Sequence, residues 1–257
     1  MNGGSPGRAG RWAFRSGLRP SLQAQRPELN YKDNSFNLFL PLRVYFYECS
    51  KDKVSYLRKR DSRLAKVIDT VGEIDIRDLD DSFVFLVREI VGQMLSASVK
   101  RVLLSRLYEL CQGNITPTSI LILSIEDLRG IGLSNSKASF ILNLAQFVQE
   151  GKIDFSALTH LPDSEVMKQL MSIKGVGIWT SKMYLMFFLK REDILPVEDV
   201  AFLQAFKWLY GYKNPSSLTV ERRCKKWKPY SSIAARYMYI ALDSGLTKIP
   251  VSEFLSE

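Results

Sequence analysis

Leu170-Met-Ser-Ile-Lys174-Gly175-Val-Gly177-Ile-Trp179-Thr180 is the stretch from which the rest of the chain can be read. An amphipathic segment, expected to be helical over 164–173, runs into Gly-Val-Gly, and a second helix is expected to start at once. Glycine suits such a turn because one backbone must take a positive φ while another approaches a partner with no Cβ in the way. The amides of Gly177, Trp179 and Thr180 would then gather at a helix N-terminus, where unpaired N–H groups and the positive dipole end favour a phosphate. A grip of this kind holds a nucleic-acid backbone and carries no base information. Lys174 and Lys182 would add charge around the same phosphate.

The turn has a counterpart earlier in the chain. Gly130-Ile-Gly132-Leu-Ser-Asn-Ser136-Lys137-Ala138 matches Gly175-Val-Gly177-Ile-Trp-Thr-Ser181-Lys182-Met183 at a constant offset of 45, with both glycines, the serine and the lysine in register. Two helix-turn-helix units sharing one turn chemistry is one reading, and a chance likeness of Gly-rich turns is the other. Outward from these turns nearly every segment has helical spacing, with helices expected at about 54–71, 82–96, 98–111, 117–123, 135–149, 164–173, 178–189, 199–210 and 230–243. The apolar, aromatic run at 36–47, interrupted by Pro41, reads as a strand or two. Residues 1–35 read as a disordered or non-native tail, since the first 28 hold five Gly, five Arg and no periodic pattern; low acid content would also suit a transit peptide, but the glycines argue against its amphipathic face.

Composition narrows the function classes. With 46% hydrophobic and 25% charged residues the chain is an ordinary soluble globule, and no apolar run approaches the roughly 20 residues that cross a bilayer. The net charge is +9, but Arg8, Arg11, Arg15, Arg19 and Arg26 against Glu28 account for +4, so the other 229 residues carry +5 and are only mildly basic. Cys49, Cys111 and Cys224 lie too far apart for a zinc or iron–sulfur site and read as reduced thiols. The only histidine, His160, has no partner set for a metal or a nucleophilic triad and reads as surface or structural.

Beyond the second turn comes Asp193-Ile-Leu-Pro196-Val-Glu198-Asp199-Val-Ala-Phe, which places Asp199 22 residues past Gly177, after a proline turn and at a helix start. Asp199 is expected to be an N-cap, a carboxylate aimed back at the turn, or both. Glu198 is the acid if the register slips by one, but neighbours on a helix point about 100° apart, so only one of the two can face a site.

The turn resembles the hairpin of the helix-hairpin-helix superfamily of DNA glycosylases, usually written hydrophobic-Pro-Gly-hydrophobic-Gly, with Lys174 here in place of the proline. The Pro196-Val-Glu-Asp199 element is similar to the one carrying the catalytic aspartate of the alkylation-repair branch, the 3-methyladenine glycosylases. The resemblance implies Asp199 as the catalytic acid, and a single structural Na or K ion on the carbonyls of Met171, Ile173 and Val176, with no other cofactor. Family members with lyase activity place a Schiff-base lysine two residues after the second glycine; here that residue is Trp179, which would instead stack on a cationic flipped base or, more plainly, pack in a core. Arg88-Glu-Ile-Val-Gly-Gln93-Met94-Leu-Ser96 resembles the helix end that carries a glutamine beside the target and an apolar wedge, which makes Gln93 a substrate contact and Met94 the wedge, although an ordinary core helix also tolerates this pattern. Trp227-Lys-Pro229-Tyr-Ser-Ser-Ile-Ala-Ala-Arg-Tyr-Met-Tyr239 resembles the closing helix of the family, with Tyr239 at a pocket position. Arg222, Arg223, Lys225, Lys226 and Lys228 before it contact phosphates or are simply solvated.

The resemblance covers about 54–254 and implies an all-α fold of two helical subdomains around a DNA-binding cleft, about 115–210 and 54–114 plus 211–257, with a vestigial β or irregular segment at 36–48. The expected function is removal of alkylated purines such as 3-methyladenine from double-stranded DNA by a monomer, away from membranes, in the cytoplasm or nucleus. An oxidised-guanine glycosylase and a non-catalytic helix-hairpin-helix DNA-binding module are the alternatives. Asp199 separates the last of these, because a pure binder needs no buried carboxylate facing its cleft.

Overall fold

A computed structural model describes residues 46–48, 50–77 and 81–256 of the 257. The expected tail over 1–35, most of the expected strand segment and Cys49 lie outside these residues. Two three-residue strands, β1 (Phe46–Glu48) and β2 (Asp75–Arg77), pair antiparallel with Tyr47 opposite Ile76. Everything else that is regular among the described residues is helical: α1 (Lys51–Arg60), α2 (Ser62–Val71), α3 (Ser82–Gly92), α4 (Ala97–Leu110), α5 (Pro117–Leu121), α6 (Ile125–Gly130), α7 (Asn135–Gln149), α8 (Phe155–Leu158), α9 (Asp163–Met171), α10 (Ile178–Met183), α11 (Val200–Tyr210), α12 (Ser217–Cys224), α13 (Ser231–Asp243) and α14 (Val251–Ser256). A π-helical turn, Tyr184–Phe188, continues α10.

The single helix expected at 54–71 is two. Asp61 leaves the helical region (φ −142°, ψ 100°), ends α1, and caps α2 by accepting the Leu64 amide at 3.3 Å. Apolar spacing runs on through the break, so periodicity could not show it. The expected 82–96 helix stops at Gly92, and the short helices α6, α8, α12 and α14 escape periodic reading because each spans too few turns.

The core is continuous among the described residues. In α3, Phe83, Val84, Phe85, Leu86, Val87, Ile90 and Val91 are all buried, so this helix is apolar on nearly every side and sits inside the molecule. It packs against α4, α7, α10 and the π turn, while α5 and α6 also cover α7. A second group joins α1, α2, α11 and α13. Packing thus links α3 to α7 across residue 115, and α11 to α13 and α2 across residue 210. Hydrogen bonds join the two groups: Ser232 Oγ accepts the Ile194 amide at 2.9 Å, and Arg236 donates to the Met186 carbonyl. Asp199 starts α11 and Trp179 lies on α10, so the site forms where these groups meet.

Candidate active site

The hairpin runs from α9 through Gly175 and Gly177 into α10. Both reasons for glycine fall on Gly175: its φ is +95°, and a Cβ there would stand 2.3 Å from Cγ of Phe140. Gly177 is extended (φ −103°, ψ −173°), and a Cβ on it would meet nothing within 4 Å. The expected division of labour between the two glycines is corrected accordingly, and Gly177 presents open backbone. No side chain caps α10. In the earlier copy of the turn Ser134 caps α7 by accepting the Lys137 amide at 3.3 Å, and Arg106 donates to the Ile131 carbonyl at 3.1 Å. Only the second turn therefore leaves its helix start without a side-chain cap. Lys174 is exposed, its amide on Asn143 Oδ1 at 3.2 Å. Ile173 and Val176 are buried and Met171 is exposed; the Ile173 carbonyl accepts the Val176 amide at 3.0 Å.

The proline turn aims the acid. Asp199 is 7% exposed, and both its oxygens are engaged: Oδ1 accepts the Phe202 amide at 2.7 Å as the N-cap of α11, and Oδ2 accepts the indole N–H of Trp179 at 2.5 Å. Cap and inward-facing carboxylate are the same residue. Glu198 is exposed and takes Lys182 Nζ at 2.7 and 3.0 Å, while Lys182 also donates to the Leu195 carbonyl at 3.0 Å. Lys182, expected beside a phosphate, is thus tied to the loop that carries the acid.

Tyr239 closes the other side, between Phe187 and Phe202 at ring distances of 6.0 and 6.5 Å. Its buried hydroxyl has no well-formed hydrogen bond, yet Asp199 is close enough to act on it. Burial first, then the Asp199 charge and a contact with that carboxylate, push the phenol far above its ordinary value, so it stays a neutral O–H beside a carboxylate.

What sequence reading did not reveal is how the acid loop is held. Ser231 Oγ donates to Asp193 at 2.5 Å, the Ser232 hydroxyl accepts the Ile194 amide at 2.9 Å, and the Ser232 amide donates to the Glu192 carbonyl at 2.9 Å. Both serines were legible as part of the Trp-x-Pro motif, but not their target. Of the basic cluster, Arg223 and Lys226 reach the buried Asp61 at 3.5 and 3.1 Å and Lys228 reaches Asp193 at 3.6 Å. Arg222 and Lys225 remain exposed.

Gln93 docks the end of α3 on the hairpin: its amide nitrogen donates to the Gly175 carbonyl at 3.0 Å and to Thr180 Oγ1 at 3.3 Å. Thr180 is buried as a whole residue, and its hydroxyl is taken up by Gln93, so the open part of the turn is Gly177 and Ile178. Met94 follows with φ +58° and is 99% exposed, an apolar side chain held wholly in water.

Residues 87–229, more than half of the chain, match the family described as the HhH-GPD superfamily of base excision DNA repair proteins. The chain belongs to this superfamily. The HhH-GPD match contains Gln93, Met94, the whole hairpin and Asp199, whereas Tyr239 lies past its end. Among relatives, the Alkylbase DNA glycosidase-like protein mag2 of Schizosaccharomyces pombe is 31% identical over 159 residues, which is 60% of this chain and 75% of its own length. YfjP of Bacillus subtilis is 31% identical over 128 residues, 49% of this chain but only 45% of that longer protein. The crystal structure of a DNA-3-methyladenine glycosidase from Bacillus halodurans superposes with a TM-score of 0.71 at 30% identity, covering 83% of this chain and all of that one.

Proposed function

We propose that this HhH-GPD protein is a monofunctional DNA glycosylase that flips alkylated purines, 3-methyladenine among them, out of double-stranded DNA and hydrolyses their N-glycosidic bond, acting as a monomer. The observation that carries the reading is Asp199: a buried carboxylate, fixed by a helix start and by the indole of Trp179, facing the hairpin. As the C1′–N bond breaks, the electron pair leaves with the base and the sugar becomes an oxocarbenium-like cation, which a fixed carboxylate stabilises as the charge develops. Water then adds at C1′ and its proton passes to Asp199 or to solvent. Alkylated purines carry positive charge, so the faces of Trp179 and Tyr239 would hold them by stacking and cation–π contact, worth about 0.5–2 kcal/mol. The open backbone at Gly177 and the uncapped start of α10 suit a phosphate, and the exposed Met94 suits the gap left by a flipped nucleotide.

Hydrolysis without strand cleavage is favoured because Trp179 occupies the position of a Schiff-base lysine and the nearby Lys182 is held by Glu198 and Leu195. The carbonyls of Met171, Ile173 and Val176 are neutral oxygen donors of the kind a Na or K ion takes, and the one already accepting an amide keeps a second lone pair. Such an ion would orient the hairpin carbonyls and takes no part in the bond cleavage.

The test is base release from duplex DNA treated with a methylating agent, run beside a duplex containing oxidised guanine, with borohydride present in parallel. Release of 3-methyladenine with strands intact until alkali is expected, and no borohydride-trapped adduct. Release of oxidised guanine alone would make the protein an oxidised-guanine glycosylase instead. Binding without release of any base would make the protein a DNA-binding module.

A further inference from the structure

We propose that Lys137, on the earlier of the two glycine turns, is a positioning residue for the wedge: its ammonium holds the Gln93–Met94 turn in the conformation that drives Met94 outward. The inference rests on the reading of Met94 as a wedge.

The last carbonyls of a helix have no intrahelical partner, and a cation placed there both satisfies them and complements the negative dipole end. At the end of α3 that cation comes from a distant element. Lys137 Nζ donates to the Val91 carbonyl at 2.9 Å and to the Gln93 carbonyl at 2.7 Å. The side chain is partly buried, and burial pulls its pKa below the ordinary lysine value. Met94, the next residue, adopts a left-handed φ of +58° that a methionine rarely takes, and its side chain is almost fully exposed. With so little of that side chain in contact with protein, its direction depends on the backbone at residues 93–95. A strained residue persists where its surroundings over-determine it. Here the surroundings are the Gln93 amide docked on Gly175 and Thr180, the Leu95 amide on the Gly92 carbonyl at 3.1 Å, and the Lys137 ammonium on the peptide that leads into Met94.

The repeat gives this contact a parallel. Lys182, the lysine 45 positions on, reaches the Leu195 carbonyl and Glu198, the turn just ahead of Asp199. In each copy of the turn the same lysine therefore fixes the loop that precedes a functional side chain.

The experiment uses the full chain and a duplex with one tetrahydrofuran abasic analogue flanked by 2-aminopurine, whose fluorescence reports unstacking at the wedge. Lys137→Met keeps the aliphatic stem without the charge, Lys137→Arg keeps the charge, and each is also made in a Met94→Ala background. Lys137→Met is expected to lower the fluorescence change and single-turnover release of 3-methyladenine about tenfold, as loss of the charge-assisted hydrogen bond to the Gln93 carbonyl would give. Affinity for undamaged duplex should stay within about twofold, Lys137→Arg should restore the signal, and in the Met94→Ala protein the Lys137→Met change should add less than about twofold, because the two act through one element. Should Lys137→Met fail to fold, Lys137→Gln carries the same comparison. Additive effects of Lys137→Met and Met94→Ala, or an equal loss of undamaged-duplex binding, would overturn the proposal. A Met94→Ala protein that unstacks the probe like wild type would sink the wedge reading itself; a defect in Met94→Ala with none in Lys137→Met would sink only the inference.

Discussion

At the scale of single residues, Asp199 and Trp179 are coupled by one hydrogen bond, and that bond shapes what their variants should do. Asp199→Asn keeps an oxygen for the Phe202 amide, so the fold should survive while base release is lost and lesion affinity is kept or raised, since a negative charge has left the DNA face. Asp199→Ala also removes the cap and should cost about 1 kcal/mol in stability. Thermal melts and excision assays on both variants check this, and near-wild-type excision by Asp199→Asn would remove the acid from the mechanism. Glu198→Gln loses only its partner Lys182 and should stay active. Trp179→Phe keeps a ring but not the N–H; it should hold lesion-bearing DNA yet lower kcat, because Asp199 loses the donor that orients it. Trp179→Ala should lower both affinity for cationic purines and kcat, and spare undamaged duplex. If Phe replaced Trp without loss of kcat, the indole would be a stacking surface only.

At the scale of the element, the hairpin separates folding from function between two glycines two residues apart. Gly175→Ala puts a Cβ against Phe140 in a left-handed backbone and should destabilise the protein by about 1–3 kcal/mol, read by urea titration. Gly177→Val meets open space on the protein side, so stability should hold while affinity for all duplexes, damaged or not, falls about tenfold as amide contacts to a phosphate are lost. A competition titration of the Gly177 variant against both duplexes at one salt concentration decides it; loss of lesion discrimination alone would contradict the assigned role. The acid loop shows the same economy, since Ser231 and Ser232 at the start of α13 hold Asp193 and Ile194 and so set where α11 and its cap begin.

At the scale of the molecule, Asp61 ties the first helices to the last. It is almost fully buried and accepts Tyr210 Oη at 2.6 Å and Trp227 Nε1 at 3.0 Å, residues 149 and 166 positions away, with Arg223 and Lys226 beside them. Burial alone would raise its pKa, but the bonds from Tyr210, Trp227, Lys226 and the Leu64 amide outweigh it and hold the carboxyl below 3.8. A depressed folded pKa means stability that is present above the unfolded value and lost as pH falls through the folded one. Asp61→Asn should therefore cost about 2–3 kcal/mol at neutral pH, a cost that shrinks once the solution is acidified below about pH 4; a pH-independent difference between the two urea curves would show that the charge is not what stabilises. Asp61 carried no signal in the sequence, because an aspartate between two apolar-periodic stretches reads as one more solvated position. The sequence by itself determined the helical class, the glycine hairpin and its earlier copy, the spacing that puts Asp199 in reach of it, and Trp179 in place of a lysine, since all of these are local spacing and residue type. Only the tertiary structure decided that Gly175 rather than Gly177 is sterically required, that Lys182 serves Glu198 and Leu195, that Gln93 docks on the hairpin, and that Lys137 grips the end of α3. Each of those joins side chains and carbonyls from elements far apart in the chain, and which partner a polar group finds is settled by packing, not by its neighbours in sequence.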